Sequence, residues 1–357
     1  MKGKQEFDTE HFVRFEGLKM YYDTSSGGLL KRNHNVIKAL DDINISLKQG
    51  EILGLAGESG SGKTTAGEIL VRLQEQTEGT ITIGNRSYSS DTKMKRAEEK
   101  AFRKDVQMIF QDPYETLNPR FTIFNTIAEP LIIHGLKDKK EIEDLVIKAL
   151  ETAELKPADQ FMHRFPHELS GGQRQRVAIA RGIVINPKVL VADEPVSMLD
   201  VSIRAGILNL LRTVRKEMGL TMLYISHDLS TIKYLCDNIA IMYLGKILEY
   251  GPVNEVIENP QHPYTKALLS AVPVPDPDYV RQRIEIDGEV ADQINLPVGC
   301  RFAPRCPFAT SDCLSCDHTL LERSEEHYSA CIYRSDEQVP MSSREDGSKP
   351  YEEVKSV

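Results

Sequence analysis

The sequence predicts an α/β fold with an antiparallel β flap, an inserted helical subdomain and a small cysteine-bearing C-terminal extension. Three observations predict the core. The apolar run Ile52-Leu53-Gly54-Leu55-Ala56 leads through Gly57-Glu58-Ser59-Gly60-Ser61-Gly62-Lys63-Thr64 into a helical segment from Thr65 to Leu73. A second apolar run, Lys188 to Ala192, ends in Asp193 and Glu194. A third, Thr221 to Ser226, delivers His227. Short buried strands that alternate with helical segments and end in polar side chains are the pattern of an α/β core.

Size and charge narrow the class. A chain of 357 residues exceeds one ordinary domain, so we expect a core domain over residues 1–251, an extension over 252–334 and a disordered polar tail over 335–357. The net charge of -9 argues against a nucleic-acid partner, which favours a basic face. Met1 to Glu16 mixes charges without an apolar stretch, and no uncharged run approaches the roughly 18 residues of a membrane span. The chain is therefore expected in the cytosol, touching a membrane only through a partner. Of its six cysteines, five lie between Cys300 and Cys331, which without a secretion signal reads as metal binding before disulfide bonding.

Val13, Phe15, Leu18 and Met20 alternate, as do Ile43, Ile45 and Leu47, so each stretch reads as a half-buried strand of the flap. Asp23 to Asn35 between them reads as a loop. Tyr21 and Tyr22 end the first strand, and either ring could stack on a base; Tyr22 is favoured. In the glycine loop, Gly57, Gly60 and Gly62 let successive N–H groups point inward, and the following helix adds its positive end, making an anion site. Lys63 would reach the β- and γ-phosphates of a nucleotide, and Thr64 would hold Mg2+. Glu58, Ser59, Ser61 and Thr65 complete this stretch.

Gly79 to Gly84 reads as a short strand, Asp91 to Lys104 as a solvated helix and Val106 to Phe110 as a buried strand ending at Gln111. The Gln111 amide oxygen could face Mg2+ or an attacking water. Lys139 to Leu155 carries Ile142, Leu145, Val146, Ala149 and Leu150 at helical spacing, so residues 113–168 form the helical insertion. At its end, Ser170-Gly171-Gly172-Gln173 opens a helix and offers a second phosphate site. Asp193 could hold the metal's water shell, and Glu194 could take a proton from water in line with the γ-phosphate. Asp200 is expected to cap the helix that stops at Gly219. His227, level with Lys63 and Asp193, could bond a γ-phosphate oxygen. Ile239 to Tyr243 and Lys246 to Tyr250 read as a closing hairpin.

GESGSGKT, the glutamine of FQDP, LSGGQ, VLVADEP, SMLD and the histidine of SHD, in this order from Phe12 to Gly251, resemble the nucleotide-binding subunit of an ABC transporter, a P-loop core of RecA-like fold. The resemblance implies an ATPase in which two subunits enclose two ATPs. Ser170, Gly172 and Gln173 of one would face the γ-phosphate bound by the other, Asp200 would lie in the inter-subunit loop, and Gln111 would couple the site to a membrane partner. Met198 stands where alanine is more usual. FQDPYETLNPRFTI, ENPQHPYTKALLSAVPVPDPD and GCRFAPRCPF resemble the oligopeptide/dipeptide importers, most closely the F-subunit ATPase. This implies a homologous second ATPase, two permease subunits and an external solute-binding protein, with the chain peripheral on the cytoplasmic face. Tyr114 to Phe121 is expected to line the groove for a permease helix. Peptides are the default cargo, and nickel, glutathione or oligosaccharides are alternatives within the class; a soluble ABC ATPase of DNA repair or translation is the rival outside it.

Beyond the core, Pro252 to Asp278 is proline-rich and reads as an extended arm. Cys300, Cys306, Cys313 and Cys331 are spaced C-x5-C-x6-C-x17-C and resemble the iron–sulfur site of some members of the family, with Cys316 as a rival third ligand. A [4Fe-4S] cluster, zinc and no metal all remain open. Arg301 and Arg305 are expected to offset a cluster's charge, and its distance along the chain from Lys63 and Glu194 suggests a purely stabilising role.

Overall fold

In the computed structural model, which describes residues 11–26, 33–272, 286, 293–294, 296–317 and 319–333, the strands form two sheets. The smaller is the flap. β1 (His11–Ser26) lies between β2 (Asn33–Lys48) and β4 (Glu78–Ile83), and β5 (Arg86–Ser89) pairs with β4, all antiparallel. The strands run further than expected: β1 continues to Ser26 and β2 begins at Asn33, so Asp23 to Ser26 and Asn33 to Asn35 belong to strands. Local polarity suggested a loop, but ladder pairing with the opposite strand decides.

The larger sheet holds β3 (Ile52–Ala56), β6 (Val106–Ile109), β7 (Val189–Asp193), β8 (Thr221–Ile225) and β9 (Asn238–Tyr243) in parallel, ordered β9-β3-β8-β7-β6. Every residue of β3, β7 and β8 is buried, as strands covered on both faces must be. β6 is the edge strand; Gln107 and Met108 are half-exposed, and Phe110 beyond its end is 40% exposed. The hairpin of β9 with β10 (Lys246–Pro252) forms as expected and extends the sheet antiparallel.

α1 (Lys63–Leu70) follows the glycine loop, and α2 (Arg96–Asp105) begins later than the charged stretch at Asp91 suggested. Between β6 and β7 lie α3 (Pro113–Thr116), α4 (Ile123–Ile133), α5 (Lys139–Thr152), α6 (Asp159–Met162) and α7 (Gly171–Ile183), so the insertion is helical as its periodicity required. α8 (Val201–Met218) ends at Gly219 in the left-handed conformation, and α9 (Leu229–Leu235) connects β8 to β9.

The extended arm is a correction. Val253–Glu258 forms α10 and Pro263–Ala271 forms α11. Proline breaks a helix in its interior but is favoured in its first turn, where its missing N–H has no intrahelical partner; Pro263 sits there, and the His262 side chain accepts from Tyr264 N–H at 3.1 Å. The cysteine-bearing segment ends in a hairpin of β11 (Leu321–Ser324) and β12 (His327–Ser329), and β12 pairs with β10, so it extends the large sheet. No helix among the described residues is long and apolar enough to cross a membrane. The expected tail over 335–357 lies outside the described residues.

Candidate active site

β3 and α1 set the glycine loop at the carboxyl end of a central strand, where open α/β sheets place their ligands. At Gly57 (φ 151°) a Cβ would stand 2.0 Å from Met242 O, and at Gly62 (φ 104°) 2.3 Å from Ala39 O, so neither position admits a side chain. The loop folds around Lys63, which is 6% exposed. Its Nζ donates to Gly57 O at 2.8 Å, Glu58 O at 2.9 Å and Ser61 Oγ at 3.4 Å. Burial lowers the Lys63 pKa, opposed by Glu194, Asp193 and Glu58. A buried ammonium resting on neutral carbonyls exchanges them readily for phosphate oxygens, since bonds to a charged acceptor are stronger.

Asp193 ends β7 and is 4% exposed. Burial, with Glu194 adding to it, pushes its pKa up to about 6, while a hydrogen bond from Thr64 and the charge of Lys63 pull it down. Its Oδ1 is buried without a hydrogen-bond partner. Such an acceptor costs about 1–3 kcal/mol until it is satisfied, and Mg2+ or a water on it would do so. The Asp193 carboxyl and Thr64 hydroxyl therefore fit the expected metal.

Glu194 adopts φ 44°, and its N–H donates to Ile225 O at 2.9 Å, which ties it to the end of β8. Gln111 Nε2 donates to Glu194 Oε2 at 3.4 Å, and His227 Nδ1 lies 2.9 Å from Glu194 Oε1. The ends of three adjacent strands thus bring an amide, a carboxyl and an imidazole into contact. They face a cleft of about 760 Å³ whose wall includes Ser59, Gly60, Gly62, Lys63, Thr64 and Thr65. Tyr22 stands on the same wall, its hydroxyl bonded to Gln74. Tyr21 is turned to Asp41, 2.5 Å from its Oδ1.

The signature residues are elsewhere. Ser170 caps α7, accepting from Gln173 N–H at 3.3 Å while Gln173 Oε1 accepts from Ser170 N–H at 3.0 Å. Gly171 follows, and Gly172 packs so tightly that a Cβ would lie 2.7 Å from Ile203 Cγ2. None of Ser170, Gly171, Gly172 or Gln173 lines the cleft of its own chain. Asp200 stands exposed at the N-cap of α8 but forms no side-chain cap bond, contrary to expectation.

The cysteine segment also departs from expectation. Cys300, Cys306, Cys313, Cys316 and Cys331 are all unbridged and line one small pocket. Among the described residues, however, no three His, Cys, Asp or Glu side chains form a group that could hold a metal ion, so the structure itself shows neither the expected iron–sulfur nor the expected zinc site. Burial, reinforced by the neighbouring thiols, raises the Cys300 pKa. The arginines do not serve the thiols. Arg301 bonds Asp41 and Leu244 O, and Arg305 forms a two-pronged pair with Glu58, at 2.8 and 3.3 Å. Tyr264 completes the contact, its hydroxyl accepting from Glu58 N–H at 2.9 Å. The segment is thus remote from the glycine loop in sequence only. Sequence reasoning missed Tyr264 and misplaced Arg305 because nothing local marks a partner 247 residues away.

Fold and site define a P-loop ATPase of the ATP-binding-cassette class. The ABC transporter family matches residues 40–197, and the oligopeptide/dipeptide transporter C-terminal region matches residues 248–313. The chain is 43% identical to the dipeptide transport ATP-binding protein DppF of Haemophilus influenzae, over 89% of this chain and 95% of that protein. It is likewise 43% identical to the oligopeptide transport ATP-binding protein AppF of Bacillus subtilis, over 90% and 97%. The dimeric post-hydrolysis structure of the ATP-binding cassette MJ0796 with ADP and Pi superposes with a TM-score of 0.59 at 30% identity, covering 68% of this chain and 98% of that one. The chain belongs to the ABC transporter family, among the oligopeptide/dipeptide transport ATP-binding proteins.

Proposed function

We propose that this chain is the ATP-hydrolysing subunit of a membrane importer for peptides, working in a dimer with a homologous ATPase at the cytoplasmic face. The observation that carries this reading is the meeting of Gln111, Glu194 and His227 at the cleft that holds Lys63. Lys63 and the loop N–H groups bind the β- and γ-phosphates, and Tyr22 stacks on the adenine. Thr64, Asp193 and Gln111 would hold Mg2+, which would supply charge compensation on the phosphates. Glu194 orients the attacking water and takes its proton, while His227 holds the Glu194 carboxyl from the side and bonds the γ-phosphate. Because Ser170, Gly172 and Gln173 stand away from their own cleft, they serve the partner's nucleotide, with Asp200 in the seam between subunits. Peptide cargo is supported by the names of the relatives and by the C-terminal match.

The permease helix docks in a separate groove of about 360 Å³, walled by Leu73, Phe110, Thr116, Leu117, Pro130 and Ile133. Only part of the expected Tyr114 to Phe121 stretch contributes. In the C-terminal segment we propose a [4Fe-4S] cluster on Cys300, Cys306, Cys313 and Cys331. Support comes from the resemblance carried by their spacing and from the convergence of these thiols on one pocket. When bound, the cluster would cross-link the segment.

Reconstitution with the permease pair and the second ATPase tests the main reading. ATP should drive uptake of a labelled dipeptide, and Glu194→Gln should keep ATP binding while hydrolysis and uptake fall by about 10²–10⁴-fold. Hydrolysis within about twofold of the parent would remove Glu194 from the role of base.

A further inference from the structure

The cysteine-bearing extension meets the glycine loop at Gly60, whose carbonyl accepts from Gln293 Nε2, and grips it most firmly at Glu58. Glu58 is held from outside the core at both its carboxylate and its backbone N–H: Arg305 takes the carboxylate in two prongs, and the Tyr264 hydroxyl takes the N–H. The remaining polar group of its backbone, the carbonyl, accepts from Lys63 Nζ at 2.9 Å. The grip is itself firmly seated. Tyr264 is fully buried, its ring 4.7 Å from Tyr243 and 5.3 Å from Phe302, and Phe302 comes from the cysteine segment. The Arg305 side chain is 11% exposed and that of Glu58 26%, so water screens this pair less than a surface ion pair. Arg305 also donates to the Tyr243 hydroxyl at 3.3 Å, which closes the connection between sheet, α11 and segment.

A loop with three glycines between β3 and Lys63 has many conformations to lose when it wraps a phosphate. Contacts that hold the loop in its wrapped form before nucleotide arrives reduce that loss and appear as tighter binding. Neither Tyr264 nor Arg305 lines the cleft, so neither touches the nucleotide or the hydrolytic group at Glu194.

We infer that Tyr264 and Arg305 are positioning residues of the nucleotide site: through Glu58 they hold the glycine loop and the Lys63 ammonium ready for the phosphates, making the C-terminal extension part of the ATP site. This deepens the reading of the Lys63 loop as the nucleotide site and rests on it. The extension therefore sets nucleotide affinity, leaving the rate of hydrolysis at saturation to Gln111, Glu194 and His227.

Tyr264→Phe removes one hydroxyl and keeps the aromatic packing; Arg305→Ala removes the ion pair; Arg305→Lys keeps its charge. With the full chain, titration by MgADP should show Kd raised about 3- to 10-fold in Tyr264→Phe and in Arg305→Ala, as for loss of one ordinary or one charged hydrogen bond. Arg305→Lys should recover part of the loss. In the reconstituted transporter the same variants should raise KM for ATP and leave kcat within about twofold, the split expected when only uniform binding is lost. A purely structural role predicts the reverse, a lowered kcat from less folded protein with Kd and KM unchanged, and that result would overturn the inference. Unchanged Kd in folded Tyr264→Phe and Arg305→Ala would overturn it equally. Lys63→Ala separates the two readings: if it too binds MgADP normally, the nucleotide site itself is misassigned, whereas lost binding there with normal binding in the other variants sinks only the role of the extension.

Discussion

Asp193 shows how one buried side chain carries opposite pH dependences. Burial lifts it from an ordinary 3.8 to about 6. Between those values the folded protein keeps a proton that the unfolded chain has released, so the stability of the nucleotide-free protein should fall as pH rises through the window. Mg2+ needs the ionised carboxyl, so its binding should run the other way, full above pH 6 and weakening by up to about tenfold per unit below it. Thermal unfolding and Mg2+-dependent nucleotide binding between about pH 4 and pH 7 should show both slopes, and Asp193→Asn should flatten both. Equal slopes in parent and variant would remove Asp193 as their source. The position of this residue was legible in the sequence, because an apolar strand ending in paired acids after a phosphate loop leaves few places for it. Its orphaned oxygen was not, since that depends on what packs around the strand end.

At the scale of elements, two helix-borne surfaces make separate predictions. Ser170 caps α7 and does not line its own cleft, so Ser170→Arg should leave nucleotide affinity at its own Lys63 site unchanged and cut hydrolysis at the partner's site. Photolabelling each site in the mixed dimer distinguishes them; a defect at the site of the same chain would refute the exchange. The groove between α4, α7 and the edge of β6 makes the second. Leu117 lines it but is only 2% exposed, so an acid there would disrupt the core. Ile133 is 62% exposed on the groove wall, and Ile133→Asp should keep ATP binding and lose uptake through failed docking on the permease. Normal uptake by Ile133→Asp would place the docking surface elsewhere. In the sequence, α7 was legible from its capped start, while α4 was placed only within the helical insertion of residues 113–168. Which exposed residues form a groove depends on how α4 and α7 sit against β6, and no single helix encodes that.

At the scale of the molecule, the extension closes over the core by covalent continuity, by the pairing of β12 with β10, and by Arg301, Arg305 and Tyr264. Its thiols gather on one pocket while Arg301 and Arg305 turn outward to the nucleotide domain. Protein purified without oxygen should accordingly be brown with a broad absorption in the blue, and Cys306→Ser should lose the colour. A colourless anaerobic preparation with one zinc per chain would replace the cluster by a single ion.

The sequence by itself determined the parts whose chemistry is contiguous. The strand, glycine loop and helix around Lys63, the capped start of α7, and the strand ends at Asp193, Glu194 and His227 each need only neighbouring residues, and local periodicity and turn chemistry specify them. Tertiary structure alone decided which tyrosine enters the cleft, that Asp200 caps nothing with its side chain, that Pro252 to Ala271 is mostly helix, and that Arg305 meets Glu58. These outcomes join residues far apart in the chain, or depend on whether a strand or helix finds a packing partner. Such contacts are set by the burial of surfaces after the elements have formed, and no short stretch of sequence carries that information.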